Sequence, residues 1–251
     1  MSRSSVSIRL AGATLVALAF SSPVAAQALP EAKDVLARYR EAAGMAKYAA
    51  VKSMHATGEF SIPAAGMTGQ LEVWSTRPNR TAMKVTIAGF GEIRSGFTGE
   101  AGWSINPMEG PRLMEGAEGK QAADEADFES HLRPDARIAS ATTVEKTTLD
   151  GTECYNVKIV WKSGRETLDC FGTQDGLIVA SAGTNETAMG ALQATTLMAD
   201  YRLIDGVRIP TRLTTRIMGA EQIIVLRDIH FNMDVEAALE PPAEIKALIR
   251  K

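Results

Sequence analysis

Hydrophobic and polar residues alternate along most of the chain from Ser53 onward. Between Ser53 and Ile62, the apolar residues Met54, Ala56 and Phe60 alternate with polar ones. A period of two is typical of a β-strand with one buried face. The pattern recurs in segments separated by turns rich in Gly, Pro and Asn, which predicts consecutive antiparallel hairpins. Further strands are predicted at 70–75, 80–87, 92–97, 102–105, 143–149, 155–161, 167–171, 176–182, 195–203, 207–217 and 222–231.

Helical periodicity is confined to short stretches. Residues 31–43 place Val35, Leu36 and Tyr39 on one apolar stripe, and Gly44 ends this predicted helix. Residues 107–119 are rich in Gly, Met and Glu and have no clear period. Further helices are predicted at 46–52, 121–132, 236–239 and 242–250.

Together these elements predict a mainly β (α+β) fold. A meander of about 11 or 12 strands cannot stay flat, so we expect a curled antiparallel sheet that forms an incomplete β-barrel, or half-barrel. The N-terminal helix and the helical insertion would cover its open side. The chain shows neither a linker composition nor an internal repeat, which favours a single domain over residues 27–251.

The N-terminal 26 residues follow the pattern of an export signal. Arg3 and Arg9 precede an apolar run at 10–20, and small residues then fit cleavage after Ala26 or Ala28. The run is too short to span a bilayer, which needs about 20 residues. The first cysteine is Cys154, so no lipid anchor is expected at the new terminus. We therefore expect a soluble mature protein that works outside the cytoplasm.

Charge and motifs exclude several functions. Removal of Arg3 and Arg9 with the signal takes the formal net charge from −3 to −5, so nucleic acid is not an expected partner. The three histidines, His55, His131 and His230, lack metal-ligand spacing and are expected on the surface or on strands. No nucleophile elbow and no phosphate-binding loop are present. We expect no enzyme activity and no cofactor.

The acidic side chains are expected to have structural roles rather than catalytic ones. Asp169 and Asp175 flank the turn after the cysteine hairpin and are expected to make turn hydrogen bonds. Carboxylates of the predicted helix at 121–132 would lie on a solvated face.

The two cysteines lie on opposite strands of a predicted hairpin. The turn at 162–164 would place Trp161 opposite Arg165 and position 154 opposite 172, so that Cys154 and Cys170 become diagonal neighbours on one face. This register allows a disulfide in an oxidising compartment, and two buried thiols are the alternative.

The apolar residues supply the main functional signal. Alternation places many of them on one face, which could line a ligand cavity or fill an ordinary core. Methionines in the glycine-containing segment after residue 106 suggest an adaptable lip beside such a cavity. The candidate ligand-binding residues are Phe60, Val73, Met83, Ile87, Phe97, Trp103, Met108, Met114 and Trp161.

Several phrases along the chain resemble the periplasmic outer-membrane lipoprotein carrier and sorting family (LolA-like). They are the helix at 31–43 with the following Ala49-Ala50-Val51-Lys52-Ser53, Gly58, Gly102-Trp103, Cys154-Tyr155-Asn156-Val157, Asp175-Gly176-Leu177, and Asp200-Tyr201-Arg202-Leu203-Ile204-Asp205-Gly206-Val207-Arg208-Ile209-Pro210. A strand at 222–231 and a Pro-Pro pair near the end complete the resemblance.

The resemblance implies a non-catalytic carrier whose half-barrel holds acyl chains of lipid or lipidated cargo. It also implies donor and acceptor proteins at the inner or outer membrane, and we expect a monomer. The alternatives are an envelope module that senses lipoproteins and, with less support, a hydrolase with an unrecognised site.

Overall fold

The structure, a computed structural model, describes residues 28–250. The predicted signal peptide lies outside the described residues, apart from the alternative cleavage site after Ala28. Thirteen strands form one antiparallel sheet in the order β6-β5-β4-β3-β2-β1-β13-β12-β11-β10-β9-β8-β7. They are β1 (Ser53–Ile62), β2 (Met67–Thr76), β3 (Arg80–Ile87), β4 (Gly91–Phe97), β5 (Gly102–Asn106), β6 (Gly110–Met114), β7 (Ile138–Leu149), β8 (Thr152–Trp161), β9 (Glu166–Gly172), β10 (Ile178–Thr187), β11 (Gly190–Ile204), β12 (Val207–Ile217) and β13 (Ala220–Phe231). The helices are α1 (Ala32–Ala43), α2 (Met45–Tyr48), α3 (Gly116–Ala126), α4 (Glu236–Leu239) and α5 (Ala243–Ile249).

The sheet is curled and open, which confirms the predicted half-barrel. Helix α3 contacts β4, β5 and β6 near one edge and β10 far along the sheet. One helix can reach both regions only because the sheet bends around it. Within residues 28–250, β6 and β7 are the two edges of the sheet. The strand missing from the prediction is β6, where Gly110 and Pro111 interrupt the alternation.

The inner face at one end is filled by the N-terminal helices. Val35, Leu36 and Tyr39 of α1 lie in a buried cluster with strand residues such as Val157 and Phe171. Helix α1 ends at Gly44, whose φ of 82° is left-handed. A β-carbon there would lie 2.2 Å from the carbonyl oxygen of Gly206, so glycine is required for the helices to approach the β11–β12 turn.

The C-terminal helices cover part of the outer face. Val235, Leu239 and Ile245 pack around Trp103 and Ala82 in a separate buried cluster. Within residues 28–250, no helix has both the length and the apolar character needed to cross a membrane.

The cysteine hairpin has the register that the sequence predicts. Cys154 pairs with Gly172 across β8 and β9, and the Trp161 amide donates to the carbonyl of Arg165. Cys154 and Cys170 form a disulfide with a Cα–Cα distance of 5.5 Å. The bond lies on the outer face, in a small apolar cluster with Ala180 and Leu197.

Candidate functional site

A cavity of about 900 Å³ opens on the inner face beside α3. Strands β8 to β13 form its floor, and α3 with the chain that follows it forms the opposite wall. The cavity is lined by Gln121, Asp124, Glu125, Ser130, His131, Arg133, Ala136, Arg137, Trp161, Lys162, Ser163, Arg165, Thr167, Ser181, Gly183, Thr184, Asn185, Ala194, Thr196, Met198, Leu213, Thr215, Ile217 and Gln222. Its volume is within the range of small-molecule sites, about 300–1,000 Å³.

The cavity floor has an apolar row that continues beyond it. Strand register pairs Met198 with Leu213, Leu213 with Ile224, and Ile224 with Phe60. Residues paired across strands share a face of the sheet. Through Gly69 the same row reaches Ile87. The apolar part of the cavity is therefore continuous with a large part of the inner face.

A polar row lies beside the apolar one. Register pairs Ser181 with Thr196, Thr196 with Thr215, and Thr215 with Gln222. The hydroxyls of Thr196 and Thr215 are 3.0 Å apart and hydrogen-bonded. The cavity is therefore amphipathic, with an apolar strip and a strip of hydrogen-bonding groups side by side.

A buried ion pair stands at the polar end. Arg133 Nε donates to Asp169 Oδ2 at 2.8 Å, and Ser181 Oγ donates to Asp169 Oδ1 at 2.6 Å. Asp169 is fully buried, and the Arg133 guanidinium lies 5.9 Å from the centre of the Trp161 ring. Burial opposes the charge on Arg133, but Asp169 and nearby groups outweigh it, so the pKa of Arg133 is raised.

Aromatic and imidazole groups around the pair are desolvated. Burial raises the pKa of Tyr39 to about 12, and its hydroxyl donates to the carbonyl of His131 at 2.6 Å. Burial, assisted by Arg133 and Arg77, lowers the pKa of His131 to about 4. His131 is therefore neutral near pH 7.

Helix α3 is held over the cavity by polar contacts. Gln121 Nε2 donates to Asn185 Oδ1 at 2.9 Å, and Gln121 Oε1 accepts from the Glu186 amide at 2.8 Å. Arg137 bridges Asp124 and Asp127 from the following segment. The side chain of Gln121 thus joins α3 to the far wall of the cavity through β10.

Four of the sequence-predicted site residues lie together. Phe60 and Ile87 are buried in one inner-face cluster, and half-buried Val73 and Met83 pack against it. This cluster adjoins the cavity through Ile224 but does not line it. Trp161 is the one predicted residue among those that line the cavity.

The other predicted residues lie elsewhere. Trp103 pairs with Gly96, whereas Met83 pairs with Ser95, so Trp103 lies on the outer face and the expected single surface is divided. Phe97 and Met114 both pair with Gly102 at the sheet margin. Met108 is 83% exposed in the β5–β6 turn. Met114 belongs to β6, so the expected irregular lip is a hairpin.

The expectations for Asp169 and His131 were wrong, whereas that for Asp175 agrees with the structure. Asp175 does accept a turn hydrogen bond from the Leu177 amide, as expected. Asp169 instead lies within β9, at an inward position between Thr167 and Phe171, and binds Arg133. His131 is neither a surface nor a strand residue: it lies in a 3-10 turn with its Nε2 atom buried.

Sequence reasoning missed Arg133, Asp169 and Ser181 as site residues. Alternation along β9 could have predicted that Asp169 faces inward, because Thr167 and Phe171, two positions away on either side, face inward. Arg133 had no such signal, since it lies in an irregular segment between two 3-10 turns. Within residues 28–250, no group of three or more His, Cys, Asp or Glu side chains could hold a metal ion.

Comparison with solved structures identifies the architecture. A LolA superfamily protein from Nitrosomonas europaea superposes with a TM-score of 0.55 at 13% identity, covering 85% of this chain and 99% of that one. A domain from Vibrio parahaemolyticus, described as an outer membrane lipoprotein-sorting protein, gives 0.53 at 12% identity, covering 88% and 100%.

The chain has a LolA-like fold. A DUF1329 family protein from Desulfovibrio piger is also similar, with a TM-score of 0.55 at 14% identity over 82% of this chain and 97% of that one. No protein-family model matches the sequence. No curated protein matches it either. At these identities the likeness concerns the fold alone.

Proposed function

We propose that this protein is a periplasmic, non-catalytic carrier for lipid or lipidated cargo. The observation that carries the proposal is the apolar row from Met198 through Leu213 and Ile224 to Phe60, which extends the amphipathic cavity along the inner face. An acyl chain could lie along this row with its polar end at the row of hydroxyl groups. The LolA-like fold, shared with a domain described as lipoprotein-sorting, supports this proposal.

Apolar burial can supply the affinity without catalytic groups. Each buried methylene contributes about 0.8 kcal/mol, so a chain of about 12 carbons contributes on the order of 10 kcal/mol before the entropic cost of binding. Release would then follow transfer to an acceptor that binds the cargo more tightly. Donor and acceptor proteins at the two membranes are the expected partners of a monomeric carrier.

Export is part of the proposal. Arg3, Arg9 and the apolar run that follows would direct the chain across the inner membrane. N-terminal sequencing of protein from the periplasm should begin at Gln27 or Leu29. An intact Met1 on periplasmic protein would contradict cleavage.

A fluorescent fatty-acid probe tests the carrier function. The wild-type protein should bind the probe, and Leu213→Asp should abolish binding while the far-UV circular dichroism stays unchanged, because Leu213 is half-buried at the cavity floor. Leu203→Asp is the matched control, since Leu203 is 66% exposed and is not among the cavity-lining residues. Native mass spectrometry of periplasmic protein should also show co-purified lipid. Absence of both lipid and probe binding would refute the carrier function.

A further inference from the structure

Arg133 is held by hydrogen bonds to both its backbone and its side chain, in addition to its ion pair. Its backbone is left-handed, with a φ of 52°, a conformation that is uncommon for residues other than glycine. Arg40 Nη1 donates to the Arg133 carbonyl at 2.8 Å and also binds Asp135. The Arg133 Nη1 atom donates to the carbonyl of His131 at 3.1 Å. The carbonyl and the guanidinium of Arg133 are thus each held by a hydrogen bond.

The ion pair leaves part of the guanidinium unused. A bidentate pair would join two guanidinium nitrogens to both carboxylate oxygens. Here Arg133 hydrogen-bonds to Asp169 Oδ2 through Nε alone, and Asp169 Oδ1 accepts from Ser181 instead. Among the described residues, Nη2 has no hydrogen-bond partner, yet it is not one of the fully buried unpaired atoms. Because Arg133 lines the cavity, Nη2 is available to a molecule inside it.

Cationic donors remain free at this position, although the acids around the cavity balance its positive charges. Arg137, Lys162 and Arg165 also line the cavity, opposed there by Asp124 and Glu125. Asp124 is bound by Arg137, and Arg165 lies 3.5 Å from Glu125. Lys162 has no carboxylate partner among the described residues. The cavity therefore presents two cationic groups, Arg133 and Lys162, with donors not already taken by acids of the cavity wall.

We infer that Arg133 binds the anionic group of an amphiphilic ligand, a carboxylate or a phosphate, whose chain lies along the apolar row. The inference rests on the proposed carrier function and adds the class of headgroup. A planar guanidinium with free N–H donors suits both oxyanions. Asp169 and Ser181 act as positioning residues, because they orient the guanidinium without facing the anion themselves.

Three probes with the same twelve-carbon chain distinguish the contribution of the headgroup to binding from that of the chain. Dodecanoate carries a carboxylate, dodecyl phosphate carries a phosphate, and 1-dodecanol carries neither charge. Calorimetric titration of the full mature protein should give at least tenfold tighter binding for one or both anions than for dodecanol. The anion with the larger preference identifies the source of the headgroup.

Two variants test the residue. Arg133→Lys keeps a charge but loses the fork of donors, and should reduce the preference several-fold. Arg133→Met combined with Asp169→Leu removes both charges, so that no buried ion is left unpaired. It should bind dodecanol as the wild type does and lose the anion preference. Lys52→Gln, at an exposed lysine that is not among the cavity-lining residues, is the control for general positive charge and should keep the preference within about twofold.

The outcomes separate the two proposals. Equal binding of all three probes would leave the carrier function standing and overturn the anion site. Retention of the anion preference in the Arg133→Met, Asp169→Leu double variant would also overturn it. If none of the probes binds the wild-type protein, both the carrier function and the anion site are wrong.

Discussion

The buried surroundings of His131 disfavour protonation of its imidazole. Its Nε2 atom is buried and has no hydrogen-bond partner among the described residues, and its ring lies 4.6 Å from that of Tyr48. Burial, then Arg133 and Arg77, lowers its pKa from 6.5 to about 4. Between these pH values the unfolded chain binds more protons than the folded protein does. Stability is therefore full above pH 6.5 and declines as the pH falls toward 4.

The first prediction concerns this pH dependence. The shift corresponds to at most about 3 kcal/mol of unfolding free energy lost between pH 6.5 and 4. Urea unfolding across this range should show a shallower slope for His131→Gln than for the wild type. His230→Gln, at an exposed histidine, should keep the wild-type slope. An unchanged slope in His131→Gln would contradict the assignment.

Two glycines with positive φ allow the cost of backbone strain to be distinguished from the cost of a steric clash. Gly44 has φ 82° and faces the Gly206 carbonyl, whereas Gly66 has φ 62° and a β-carbon added to it would meet nothing within 4 Å. Gly66→Ala should cost about 1 kcal/mol from backbone strain alone. Gly44→Ala should cost about 3 kcal/mol, because the steric clash, which forces α1 and α2 away from the sheet, adds to the backbone strain. Equal losses in chemical denaturation would show that the approach at Gly44 is not tight.

At the scale of elements, the existence of the strands was more predictable than their boundaries, since β7 and β11 each begin five residues earlier than predicted. β1 and β3 have the boundaries that the alternation predicts, since polar or Gly- and Pro-rich turns punctuate them. Helix α3 runs over Gly116–Ala126 rather than 121–132. Two glycines within it give low helix propensity, so tertiary contacts determine where it forms. One of these is the ion pair of Arg112 with Glu118.

The contact between α3 and β10 gives a prediction for this helix. Gln121→Ala removes both hydrogen bonds to β10 and should increase amide hydrogen exchange in α3 at least several-fold, while exchange in β1 and β13 stays unchanged. Lys120→Ala, at the neighbouring position, is the control. Uniform acceleration across the sheet would mean that Gln121 supports the whole fold rather than the docking of α3.

The cysteine hairpin gives a prediction for β8 and β9. Cys154 and Cys170 are separated by 16 residues, a loop for which a disulfide contributes about 3 kcal/mol. Protein purified without reductant and unfolded without reductant should incorporate no thiol label. Reductant should lower the melting temperature of the wild type and leave that of the Cys154→Ala, Cys170→Ala double variant unchanged. Two labelled cysteines would refute the bond.

At the scale of the whole molecule, curling brings distant residues together in ways that alternation cannot show. Alternation assigns each side chain to one face of its own strand. It does not show which faces of different strands lie on the same side of the sheet. Alternation alone therefore groups Trp103 with Met83, although Ala82 is the residue that shares its face. The cavity wall formed by Arg133 and α3 depends on contacts between β10 and a segment far from it in sequence.

The last prediction distinguishes the packed part of the inner face from its open part. Ile87 is 5% exposed and lies in one row with Phe60, so an aspartate there would be buried without a partner. Ile87→Asp should cost several kcal/mol and unfold the domain. Met83 is only half-buried and pairs with the small, polar Ser95 on β4, so an aspartate there would keep part of its contact with solvent. Met83→Asp should therefore stay folded and weaken uptake of the fluorescent fatty-acid probe.

Circular dichroism and probe titration of both variants decide between the arrangements. If both variants unfold, this end of the sheet is solid core, and an acyl chain must remain beside α3 near Leu213. If Met83→Asp folds but binds the probe as tightly as the wild type, the chain does not extend past Phe60. Only one outcome supports cargo along the inner face beyond the cavity: Met83→Asp folds and binds the probe more weakly. Such a result requires that the acyl chain contacts Met83, so that the apolar row and Met83 form one continuous surface for it.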